Sequence, residues 1–134
     1  MLKFTSGFAI FFSRKGTSKM NIECTRYRVK QGKTAKVVNE WLAFLNDNME
    51  DVLVTLEGEK MYVETIFREV LNGEEYLYWY VVQGTGGIDV DDSQRWIDKI
   101  HIEYWDECID ETFRPVELQT EVVMIPEKVR NSMQ

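Results

Sequence analysis

Residues Met61 to Gln83 read MYVETIFREVLNGEEYLYWYVVQ, two β-rich runs joined by Asn72-Gly73. Asn-Gly favours the two-residue turn with positive φ at both central positions, because Gly meets no Cβ penalty there and Asn tolerates the left-handed region. The stretch therefore predicts a β-hairpin. Counting outward from the turn sets Leu71 opposite Glu74, Arg68 opposite Leu77, Ile66 opposite Trp79 and Glu64 opposite Val81. Alternation then gives one face with Val63, Thr65, Phe67, Tyr76, Tyr78, Tyr80 and Val82. The other carries Tyr62, Glu64, Ile66, Arg68, Val70, Leu77, Trp79 and Val81. Neither face is polar enough to stand in water, so both are expected to be covered.

Upstream of the hairpin, Asn21 to Lys30 (NIECTRYRVK) alternates and predicts a first strand, closed by Gly32. The period then lengthens. Val38, Trp41, Leu42 and Leu45, continued by Met49, Val52, Leu53 and Leu56, predict one long helix or two joined near Asn46 to Asn48, stopped at Gly58. Beyond the hairpin, Gly84, Gly86 and Gly87 predict a turn, and Asp91, Asp92 and Ser93 supply N-cap oxygens for a helix over 93–109. Its expected buried stripe is Ile97, Ile100, Tyr104 and Cys108, flanked by Trp96 and Trp105. Val116 to Pro126 (VELQTEVVMIP) predicts a fourth strand. The order β-α-β-β-α-β is that of a ferredoxin-like α+β fold, an antiparallel sheet with two helices on one face. With no third helix, a second copy is the expected cover for the other face, giving a homodimer.

Chain length and composition narrow the functional classes. The 134 residues suit one domain, and a 44% hydrophobic content argues for a folded core. A formal charge of −7 opposes nucleic acid and anionic membrane as partners, since phosphate recognition needs a basic face. One histidine and two separated cysteines, Cys24 and Cys108, offer no converging ligand set. No metal or cofactor is expected, and the cysteines read as reduced thiols of a cytoplasmic protein. Residues 1–19 lie outside the pattern. Phe4 to Phe12 is too short to span a bilayer and lacks a small-residue cleavage site, so this segment reads as an upstream start, an added edge strand or, the reading favoured, a dispensable arm. The expected domain covers 20–126, with a C-terminal tail over 127–134.

The segments MYVETIFREV, NGEEYLYWYVVQG, HIEYWDECID and VVMIP resemble a family of small bacterial proteins known only as a domain of unknown function. That family is similar to the dimeric α+β barrel proteins, which include small monooxygenases, isomerases and haem-degrading enzymes. The resemblance covers about Met20 to Pro126 and implies a fold and a dimer, with no catalytic residues to transfer. The haem-degrading members place an Asn on strand one and a Trp and a proximal His on helix two. Here the strand position holds Thr25, and the spacing of Trp96 and His101 does not match.

Three sets of residues are candidates for function. His101, the sole histidine, is placed at the edge of the helix stripe, where it is either a general base or a core-edge contact. Tyr27, Tyr78, Tyr80, Trp96 and Tyr104 would line an aromatic ligand pocket between sheet and helices, the alternative for the tyrosine row being sheet packing. Arg26, Glu64, Ile66, Arg68, Trp79, Glu121 and Val123 would form the dimer seam, its charges pairing across the interface. The expected function is small-molecule binding by a homodimer. Alternatives are a metal-independent monooxygenase or isomerase using His101 as base, and a structural or regulatory interaction module.

Overall fold

The computed structural model describes residues 10–12, 19–32 and 34–133. Its elements are β1 (Ile10–Phe12), β2 (Lys19–Arg28), α1 (Thr34–Asp47), α2 (Met49–Gly58), β3 (Met61–Leu71), β4 (Glu74–Gln83), a 3-10 turn at Val90–Asp92, α3 (Trp96–Cys108), β5 (Val116–Glu117) and α4 (Glu127–Arg130). The architecture is mixed α+β. An open antiparallel sheet runs β1-β2-β4-β3, and β5 also pairs β2.

The hairpin has the register that the Asn-Gly turn predicts: Leu71 faces Glu74, Arg68 faces Leu77, Ile66 faces Trp79 and Glu64 faces Val81. Asn72 and Gly73 both hold positive φ, 52° and 76°. Between β2 and β4, Tyr27 faces Leu77, Thr25 faces Trp79 and Glu23 faces Val81. One sheet face therefore carries Glu23, Thr25, Tyr27, Glu64, Ile66, Leu77, Trp79 and Val81. Helices cover it: Tyr27, Leu77, Trp79 and Val81 form a continuous core with Val38, Trp41, Leu45, Val52, Ile97, Trp105 and Cys108.

This corrects the expected dimer seam. Trp79 has no exposed surface within the single chain, so it cannot meet a partner, and Ile66 packs against the same core. Arg26 faces Tyr78 and lies on the opposite side of the sheet from Trp79. A one-residue difference in the pairing of β2 with β4 exchanges its two faces, and the hairpin turn does not set that register. Glu121 is exposed in the segment that follows β5. Val123 packs on the outer face with Ile125 against Met20, Ile22, Val82 and Met133.

The helical region breaks into two at Asn48, whose side-chain amide donates to the Phe44 carbonyl at 2.8 Å. Helix α3 begins later than expected. Asp89 caps the 3-10 turn by accepting from the Asp91 amide, and Ser93 accepts from the Arg95 amide, so these oxygens act one turn ahead of Trp96. Its buried residues are Ile97, Asp98, His101, Trp105 and Cys108, a stripe rotated from the expected one. Trp105 is central and Tyr104 only half-buried.

The expected fourth strand forms a ladder only over Val116–Glu117. The Leu118 amide still donates to the Cys24 carbonyl and the Thr120 hydroxyl to that of Ile22. The chain then turns across the outer face, where Val123, Ile125 and Met133 pack. Part of the cover expected from a second copy thus comes from the chain's own C-terminal segment. Of the arm over 1–19, residues 10–12 add an edge strand to Lys19, Met20 and Asn21, and 1–9 and 13–18 lie outside the described residues. Among the described residues, no helix is long and apolar enough to cross a membrane.

Candidate functional site

A cleft opens between α1, α2 and β3. Its volume is about 330 Å³, and Leu42, Leu45, Met49, Leu53, Leu56 and Ile66 form most of the wall. The helices supply these residues because the apolar stripe that starts on α1 runs on past the break at Asn48 into α2. Leu53 and Met49 stay partly exposed at the mouth. Glu64 and Trp79 stand on the sheet side, with Glu64 the one charged residue in the lining. The Trp79 indole N–H donates to Glu64 Oε2, which fixes the carboxylate against the floor. A mostly apolar cavity with one oriented polar group is the usual form of a small-molecule site.

Three further carboxylates are buried in the fold, one on β2, one just after α2 and one on α3. Glu23, Glu59 and Asp98 are all buried, together with Asn21, Thr25, Thr55 and His101. Thr25 Oγ1 donates to Glu23 Oε1 at 2.9 Å, and Asn21 Nδ2 approaches Oε2 at 3.4 Å. Burial raises the Glu23 pKa above the ordinary carboxylate value, and the Thr25 hydroxyl partly opposes that. Glu59 follows the end of α2, where Gln83 Nε2 donates to its carbonyl at 2.9 Å. Burial above all pushes the Glu59 carboxyl up to about 7, and the charges of Glu64 and Asp98 act in the same direction. No Lys or Arg side chain is buried among the described residues.

His101 sits in the centre of the core rather than at its edge. The ring has no exposed surface, and Nδ1 accepts from the Trp41 indole N–H at 3.0 Å. Trp41, Trp79 and Trp105 surround it with ring centroids at 5.4, 5.7 and 6.2 Å. A base working on a bound substrate must reach it, and this imidazole is walled off by three indoles. The position is one step round the helix from the expected stripe, which follows from α3 presenting Asp98 and Trp105 inward.

The five aromatic residues expected to share one pocket do not converge. Tyr27 packs edge-on against Trp105 at 4.8 Å and Trp79 at 6.4 Å. Tyr104 stacks beside Trp41 at the outer flank of α3, and the exposed Trp96 ring meets Phe44 edge-on. Tyr78 and Tyr80 are on the other sheet face, where the Tyr78 hydroxyl donates to Glu69 at 3.2 Å. A second cavity of similar volume is lined by Tyr27, Trp105, Ile109, Asp110, Phe113 and Pro115. Three carboxylates, Asp91, Asp110 and Glu111, also line it, and of these Asp110 pairs with Arg28 at 2.8 Å and accepts from Thr112, which holds its pKa at about 2. The residues missed by sequence reasoning are Glu59, Asp98, Leu42 and Leu53. The two leucines were legible only as part of the helical apolar stripe, and nothing in the sequence marked the two carboxylates as buried. Among the described residues, no three His, Cys, Asp or Glu side chains are placed to hold a metal ion.

A model described as a family of unknown function, DUF6176, matches residues 20–131. No curated protein and no solved structure matches the chain.

Proposed function

The chain belongs to DUF6176, a family of unknown function, and we propose that it is a homodimeric small-molecule-binding protein whose ligand occupies the cleft between α1, α2 and β3. The observation that carries this reading is the cleft itself, apolar on the helix side and carrying Glu64, oriented by Trp79, on the sheet side. A filled core would suit an interaction module better. A base role for His101, as a monooxygenase or isomerase would need, has no support from a ring without exposed surface.

The dimer of this reading uses the outer sheet face. The order β5-β2-β4-β3, with the helices packed on the opposite side, supports a ferredoxin-like half of a dimeric α+β barrel. Phe67, Val122 and Met124 remain exposed, beyond what Val123, Ile125 and Met133 cover. Apolar surface of this kind favours a partner.

Native mass spectrometry of the purified chain tests both parts. The expected result is a dimer that releases a small molecule on activation, with that molecule lost from Leu53→Trp, which narrows the mouth. A ligand-bound monomer would remove the dimer and keep the cleft. Binding unaffected by Leu53→Trp and by Leu56→Trp would remove the cleft.

A further inference from the structure

We propose that the ligand of this cleft is a short peptide that adds an antiparallel strand to the free edge of β3 and sets an apolar side chain, flanked by basic residues, into the cleft. The inference rests on the cleft reading above and names the chemical class of its ligand. The first observation behind it is the direction of the backbone. Among the described residues, β3 ends the sheet and pairs only with β4. The two-residue turn makes Leu71 and Glu74 a hydrogen-bonded pair, and such pairs recur at every second residue. Glu69, Phe67, Thr65 and Val63 therefore turn their backbone toward β4. The alternate residues of β4 face β2, as the bond from the Val29 amide to the Glu75 carbonyl at 2.9 Å requires. Ile66, Arg68 and Val70 turn their N–H and C=O outward. Among the described residues, none of these three makes a backbone hydrogen bond outside the hairpin.

The second observation is how little guards this edge. Free edges are commonly blunted by proline, lysine, a bulge or short length. Strand β3 has 11 residues with no proline and no lysine, and its register shift lies at the start, between Met61 and Val63. The Arg68 side chain is drawn away to Glu75 and to Asn39 of α1. Phe67, Val70 and Leu71 stand exposed toward the hairpin end. A row of outward N–H and C=O groups is matched by another extended backbone, the mode in which a peptide adds a strand to a sheet.

The third is the place of the cleft beside that edge. A peptide residue set opposite Ile66 points its side chain to the same face as Ile66. That face is the cleft side, where Leu42, Leu45, Met49, Leu53 and Leu56 form the apolar wall. The backbone edge and the apolar hole thus read neighbouring parts of one extended chain. The rim adds charge. The charged residues of α2 are Glu50, Asp51 and Glu57, with no Lys or Arg. Exposed Glu50 and Glu57 stand about one turn before and after Leu53 on the same side of the helix. Lysines on either side of the apolar residue complement that rim.

Isothermal titration of the full chain with the peptide acetyl-Thr-Lys-Thr-Leu-Thr-Lys-Thr-amide tests the class. N-methylation of its leucine removes the N–H that would face β3 and keeps every side chain, and it should weaken binding about tenfold or more. N-methylation of the threonine before it, whose N–H would face solvent, should be tolerated. Alanine in place of the leucine should also cost about tenfold or more, because the cleft is left unfilled. Equal binding of the parent and the leucine-methylated peptide, with the alanine loss retained, would overturn the strand pairing and leave the cleft standing. Equal binding of the alanine peptide would take the ligand out of the cleft and overturn the proposal. No binding of the parent peptide would overturn the peptide class, and the cleft would still be decided by the molecule released in native mass spectrometry. Sedimentation velocity at saturating peptide should show the oligomer unchanged; dissociation would assign the β3 edge to a second copy and overturn the peptide.

Discussion

His101 shows how strongly burial changes the meaning of a residue type. A lone histidine in a sequence invites a catalytic reading because its pKa lies near neutrality. Here its Nδ1 is the acceptor for the Trp41 indole N–H, and both residues are fully buried. His101→Ala should therefore act on stability. The change leaves a buried N–H without an acceptor and opens a cavity among three indoles, together worth about 2–4 kcal/mol. Urea denaturation reads it directly, and His101→Gln, which keeps an acceptor, should recover part of the loss. A change below about 1 kcal/mol would show that the ring is not part of the packed core.

At the scale of elements, the hairpin was legible and the inward face of α3 was not. Asn72-Gly73 specifies turn type, and turn type specifies the register from Leu71 and Glu74 outward; no tertiary information is needed. Helix α3 has apolar residues on more than one side. Trp96, Ile97, Ile100, Tyr104 and Trp105 permit several stripes, and the sheet selects the one that turns Asp98 and His101 inward. The corner after α2 was also unreadable, since its constraint is backbone on backbone. A Cβ on Gly87 would lie 2.1 Å from the Glu59 carbonyl oxygen and 2.3 Å from its carbon, and neither can yield as a flexible side chain would. Gly87→Ala should lower stability by about 1–3 kcal/mol. Thr85→Ala, two residues earlier and exposed, should change it little. Equal melting temperatures for the two variants would contradict the contact.

For the whole molecule, a net charge of −7 says nothing about where the carboxylates lie. Several lie inside, and that has a consequence for stability. Glu59 is 6% exposed and is pushed up to about 7 from an ordinary 4.5, by burial above all, with smaller contributions in the same direction from Glu64 of β3 and Asp98 of α3. Glu23 is raised in the same direction, also by burial. Between about pH 4.5 and 7 the folded chain keeps a proton on Glu59 that the unfolded chain has released. The folded state then binds more protons, and stability falls as pH rises. The contribution is fully present below about pH 4.5 and is lost on passing pH 7. It amounts to at most about 3 kcal/mol for a shift of this size. Asp110, held down at about 2 by the Thr112 hydroxyl and Arg28, acts in the opposite direction, but only below about pH 4. Chemical denaturation of wild type and Glu59→Gln from pH 5 to pH 8 isolates the carboxyl. The variant should gain on the wild type steadily as pH rises, and parallel curves would show that Glu59 ionises as freely in the folded chain as in water.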